Sequence, residues 1–254
     1  MRAFGLTVTI AATLMSLGGM ARAADIRVLA VRAPEVAIRS LAADFAKESG
    51  HQVTFTIGSP AVVMQKIKAN EVHDAVIVSE PAMDELDRDG IVNPESRVRL
   101  ANTGIGVAVR DGAPKPDIGT PEALKQALLS TKSLTYVDPA QGGTSGIHFA
   151  GVLQRLGIAD AVKSKTTLVP GGYPAELVAK GEVEMVVHQI SEIIPVKGVT
   201  LVGPLPKDLQ KITVYGAGVA VASTAKPEAK AFVTFLARPD FKPKLAAAGL
   251  DYKE

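Results

Sequence analysis

Six side chains stand where this sequence would do chemistry: Arg32, Ser59, Thr144, Ser145, Tyr173 and His188. Arg32 and Ser59 follow the β-rich runs Ile26–Val31 and Gln52–Ile57. Thr144 and Ser145 close an Asp138-Pro139-Ala140-Gln141-Gly142-Gly143 turn, and Tyr173 follows Pro170-Gly171-Gly172. Each site is a strand, a small-residue turn and a helix start, with Pro34, Pro60 and Pro174 suited to the first helical turn. Ser59, Thr144 and Ser145 have the type expected of N-caps. Helix N-termini offer free N–H donors and partial positive charge, and Gly143 and Gly171 let backbone N–H groups approach a ligand closely. Several such termini converging would hold an anion. Ordinary turn chemistry is the plain alternative, and for Arg32 so is a solvated surface cation.

His188 ends the apolar run Met185-Val186-Val187. It reads either as a hydrogen-bonded histidine at the core edge or as an imidazole in a cleft, where it would titrate near neutrality. His51 and His73 read as solvated, and His148 falls inside the helix after the Gly-Gly turn. Glu35 and Asp138 read as cap or turn residues. No His, Asp and Glu group has metal-ligand spacing, Cys is absent, and neither a G-x-S-x-G elbow nor a phosphate-loop lysine occurs. No metal and no cofactor are therefore expected.

The elements that must position these residues alternate between β-rich runs and helix-period segments, an α/β pattern of mostly parallel sheets flanked by helices. Strands are expected at 26–31, 52–57, 75–78, 105–109, 133–137, 166–169, 184–187 and 212–221. Helices are expected at 34–49, 60–69, 83–89, 121–130, 146–156, 174–180, 227–237 and 239–248. The first of them would turn Val36, Ile38, Leu41, Ala42 and Phe45 to the core. A Pro/Gly-rich stretch at 112–121 separates two such series, and no internal sequence repeat is visible. Two lobes are expected, residues 24–106 plus 215–254 and residues 107–214, with crossings near Gly104–Val107 and Tyr215–Gly218 and a ligand cleft between them.

Residues 1–23 read as a cleaved signal peptide: Arg2, an uncharged apolar stretch to Met20, then Ala21-Arg22-Ala23. Its removal takes Arg2 and Arg22 and no acid, so the formal charge falls from +2 to zero. Export to the periplasm follows, as a free monomer with no disulfides, no membrane insertion and no nucleic-acid partner.

The segments Ile26–Ala33, Ser59–Ile67, His73–Ser79, Asp138-Pro139 with Ser145-Gly146-Ile147, and Val186-Val187-His188 resemble the periplasmic molybdate-binding protein family. This family is one of the type II solute-binding proteins of ABC transporters. The resemblance implies a two-lobed clamp holding an oxyanion by hydroxyls, backbone N–H groups and a tyrosine. At those positions this sequence carries Ala33, Pro60 beside Ser59, and His188, with Arg32 adjacent. The substitutions favour carboxylates over molybdate. The chain also resembles aconitate isomerases. That implies an alternative in which His188 is the base, Arg32 the carboxylate clamp, and Ser59, Thr144 and Ser145 donors to developing charge.

Overall fold

The structure, a computed structural model, describes residues 23–252. The expected leader lies outside the described residues except for Ala23. The chain first builds β1 (Asp25–Val31), α1 (Glu35–Ser49), β2 (Gln52–Gly58), α2 (Pro60–Lys68), β3 (Ala75–Ser79), α3 (Glu80–Arg88) and β4 (Val98–Thr103). It continues through β5 (Ile105–Arg110), α4 (Pro121–Ser130), β6 (Leu134–Val137), α5 (Thr144–Arg155), α6 (Ala159–Lys163) and β7 (Thr166–Val169). Next come α7 (Ala175–Ala179), β8 (Met185–Gln189), α8 (Ile190–Ile193) and β9 (Val199–Pro204). It ends with β10 (Thr213–Val219), α9 (Lys226–Leu236) and α10 (Lys242–Ala247).

Two five-stranded sheets result, ordered β2-β1-β3-β10-β4 and β7-β6-β8-β5-β9. In each, one strand runs antiparallel to its neighbours, β10 in the first and β5 in the second. The orders correspond strand for strand, so the two lobes repeat one topology although the sequence shows no repeat. Parallel strands joined by helices place all strand–helix junctions at one end of each sheet.

Alternation and helix period account for the cores. Leu41, Phe45 and Ile38 of α1 are buried, and Phe45 meets Phe232 and Phe235 of α9 edge-on with ring centroids 5.3 Å apart in each pair. The C-terminal helices thus complete the first lobe's core. Val36 departs from its expected place: it lies on the solvent side of α1, 45% exposed. In the second lobe Tyr136 and Phe149 pack edge-to-face at 5.1 Å.

Of the two changeovers between sheets, the first falls within the stretch expected for it and the second comes earlier in the chain. Ile105 and Gly106 already pair with Gln189 and His188 of β8, so the first crossing is Gly104. Thr213 and Val214 pair with Thr103 and Asn102, so the second crossing is 205–212 and the lobe boundaries move accordingly. Tyr215–Gly218 lies inside β10, not at a hinge. Gly218 is there because a Cβ would come within 2.6 Å of Val92 Cγ1. The two crossings are tied together: Gln210 accepts from Ile105 N and donates to Ile105 O, each at 2.8 Å. Among the described residues no helix is long and apolar enough to cross a membrane.

Candidate functional site

Five strand–helix junctions meet where the lobes face each other. In the first lobe, Arg32 and Ala33 follow β1, and Ser59 follows β2 as the N-cap of α2, accepting a hydrogen bond from Val62 N at 3.4 Å. In the second, Asp138 closes the turn after β6 by accepting from Ala140 N, the turn role expected of it. Gly142 takes φ 71°, and Gly143 is the N-cap of α5. Thr144 and Ser145 therefore lie in the first turn of α5 and are not its caps.

The reason is close packing. A Cβ on Gly146 would stand 2.1 Å from Val137 O, so only glycine lets α5 start this near β6. That approach delivers Ser145 Oγ to 2.8 Å from His188 Nδ1, with both residues buried.

A cavity of about 40 Å³ lies between the lobes. Arg32, Ala33 and Ser59 line it from one side; Gly143, Thr144, Ser145, Gly171 and His188 line it from the other. Tyr173, expected among them, sits at the rim. Its hydroxyl donates to Glu35 Oε2 across the cleft at 3.2 Å, and Arg32 lies over its ring at 5.6 Å while pairing with Glu35 at 3.4 Å. Tyr215 Oη donates to Gln189 Oε1 at 2.8 Å, a second bond between lobes. At this size the cavity holds a few waters. A larger ligand enters only if the lobes part.

Three wall residues escaped the sequence reading: Gln189, Tyr215 and Glu192. Glu192 is buried, 6% exposed, and its Oε1 lies 3.4 Å from His188 Nε2. His188 Nε2 has no hydrogen-bond partner among the described residues. Glu192 sits in the four-residue α8, too short for periodicity to reveal which way it faces. The signal available was only its distance of four residues from His188.

Burial, and then the charges of Glu35 and Glu192, push the Tyr173 hydroxyl up to about 12, with Arg32 acting the other way. Burial first and Glu192 second push Tyr215 higher still. Both tyrosines are neutral donors at any ordinary pH.

The other histidines lie elsewhere. His148 Nε2 is 2.8 Å from Leu209 O beside the second crossing. His73 corrects its expectation: it is 9% exposed, with Nδ1 2.6 Å from Glu71 O, because the turn before β3 folds it inward. A larger cavity, about 680 Å³, lies by Arg110, Glu184 and Met185 at the amino end of β8, and holds none of the junction residues. No group of three or more metal-ligating side chains occurs among the described residues.

Residues 26–251 match the family model of the bacterial extracellular solute-binding proteins. The chain belongs to this family. It is 32% identical over 220 residues to an aconitate isomerase from a Pseudomonas species, covering 84% of this chain and 82% of that one. It is 28% identical over 212 residues to the molybdate-binding protein of Escherichia coli, covering 80% and 79%. The periplasmic molybdate-binding protein of Azotobacter vinelandii superposes with a TM-score of 0.72 at 20% identity, over 90% of this chain and 100% of that one. That likeness establishes the two-lobed solute-binding fold expected from the sequence. The small cavity lies between the two lobes of this fold.

Proposed function

We propose that this solute-binding protein captures a small carboxylate anion in the periplasm, as a monomer, for delivery to an inner-membrane ABC transporter. The observation that carries the reading is the convergence of helix N-termini from both lobes, with the Arg32 guanidinium, on one closed cavity. Backbone N–H groups and a guanidinium complement carboxylate oxygens. Closure then joins two half-sites, and Tyr173–Glu35 and Tyr215–Gln189 reward it with bonds between lobes. Export of the chain rests on the leader-like residues 1–23 and on the family's extracellular character.

A second reading is isomerisation of an unsaturated tricarboxylate, and the unpartnered His188 Nε2 at the cavity favours it. With Nδ1–H donating to Ser145, Nε2 carries the lone pair. It takes a proton from an allylic methylene; the C–H pair moves into the π system and the double bond shifts. The imidazolium, beside the Glu192 carboxylate, then returns the proton to the far allylic carbon. Arg32 and the N–H groups of the junctions hold the carboxylates that bear the developing charge.

Thermal shifts with citrate, cis- and trans-aconitate, sulfate and molybdate test the first reading, since a ligand of the folded state raises its melting temperature. Stabilisation by molybdate alone overturns the carboxylate assignment. Ultraviolet spectra of bound aconitate test the second. Conversion lost in His188→Ala supports it, and unchanged conversion removes His188 as the base.

A further inference from the structure

Glu192 is out of place in an anion site. An incoming carboxylate meets a buried carboxylate at the cavity wall, and among the described residues no lysine or arginine pairs with Glu192 to neutralise it. The titratable and charged groups around it are few. His188 on β8 is 3.4 Å away. Tyr215 on β10 and Tyr173 at the rim feel its charge and stay neutral. Arg32 lines the same cavity from the β1 junction but is already paired with Glu35. Gln189 is neutral and bonded to Tyr215. Among the described residues lining the cavity, that leaves the Glu192–His188 pair to take up the proton that offsets the anion's charge. His188 is 3% exposed, and its Nε2, which faces Glu192, has no hydrogen-bond partner among the described residues.

We infer that Glu192 and His188 act as one proton-binding unit, so that the cleft binds an anion together with a proton. This rests on the reading of the cleft as an anion site and specifies its ligand class. With one proton beyond a carboxylate and a neutral imidazole, the pair is neutral and the junction N–H groups act on the ligand unopposed. Without that proton, the pair repels the anion. The cleft therefore takes up a proton from solvent with each anion, and holds most tightly a carboxylate that also brings a hydroxyl donor to Glu192. Sulfate and molybdate, fully ionised and carrying no donor at neutral pH, bind more weakly than a hydroxyl-bearing carboxylate such as citrate. The proton passes from solvent to the pair as the anion binds and is released with the ligand, so no charge is left over.

The test is isothermal titration calorimetry of the purified protein with trans-aconitate, citrate, sulfate and molybdate, at about pH 6 and about pH 8, in two buffers of different ionisation heat. Linkage predicts uptake of about one proton per carboxylate bound, and a Kd rising roughly tenfold per pH unit on the alkaline side. Glu192→Gln keeps the shape of the side chain. It is expected to abolish the uptake, flatten the pH profile and strengthen the binding of sulfate or molybdate. If its melting curve shows it unfolded, His188→Gln takes its place, and loss of the uptake is again expected. Binding with no proton uptake and the same pH profile in the variant overturns this inference and leaves anion capture standing. No binding of any probe to either protein overturns anion capture, and this inference falls with it.

Discussion

Replacing Gly146 by alanine adds one methyl group where there is no room for it. The new Cβ would stand 2.1 Å from Val137 O and 3.0 Å from Val137 C, against the 3.4 Å of ordinary contact. The obstacle is backbone at the end of β6, so no rotamer change relieves it, and α5 must move away by about 1 Å. Overpacking of this kind costs about 1–3 kcal/mol, and a rigid carbonyl puts this case at about 3. For a chain of this size each kcal/mol lowers the melting temperature by about 2–4 °C, so a fall of about 6–12 °C is expected. Gly151 is the control. It lies on the same helix with nothing within 4 Å of its added Cβ, and Gly151→Ala should stabilise by about 0.5–1 kcal/mol. Circular dichroism melts of the two variants decide the matter. If Gly146→Ala melts within about 2 °C of the parent, α5 is not held against β6 as described, and the Ser145–His188 contact that depends on it fails too.

Three further predictions concern the lobes and their closure. Asp74 is fully buried; burial alone would raise its carboxyl, but hydrogen bonds from Arg27 N, the Arg27 side chain and Ser223 hold it below the usual carboxylate range. Its stabilisation is thus present above the unfolded-state value near 3.9 and is lost as pH falls through the lower folded value. Asp74→Asn should cost about 2 kcal/mol in urea unfolding at neutral pH, less than a fully buried pair because Arg27 is part-exposed, and the deficit should narrow below about pH 4. A deficit independent of pH would contradict this. Phe232→Ala removes the ring that Phe45 and Phe55 pack against and should cost about 3–5 kcal/mol by the same assay. A loss below about 1 kcal/mol would mean that α9 does not complete the first core. Tyr173→Phe deletes only the hydroxyl bonded to Glu35, so affinity for a carboxylate probe should weaken by no more than about tenfold. A larger loss would place Tyr173 on the ligand itself.

The sequence reading went furthest where burial has a period. Strands β1, β3 and β8 and helix α1 announce themselves by apolar runs or helical spacing. The two missed strands, β4 and β9, each lie at one edge of a sheet, half-exposed and, unlike the edge strands β2 and β7, mixed in composition, with Arg99 and Asn102 in one and Gly203 and Pro204 in the other. Edge strands lack the two-sided burial that makes a central strand legible. The site followed the same logic. Arg32, Ser59, Gly143, Thr144, Ser145, Gly171 and His188, which line one cavity, could be singled out in the sequence because they stand at strand ends, most of them marked by turn chemistry. Tyr215 and Glu192 obey no such mark. Tyr215 belongs to a strand that crosses back from the other lobe, and its hydroxyl reaches the cleft only because β10 inserts beside β3. Glu192 looks from sequence like one more solvated acid in a short helix, and becomes a charge in a cavity only when α8 folds under β8. A side chain's type and spacing can locate the mouth of a cleft, but the charge that opposes the ligand there is a product of tertiary packing. The chemistry of this cleft is therefore to be sought first at His188 and Glu192, where that charge meets an unpartnered ring nitrogen.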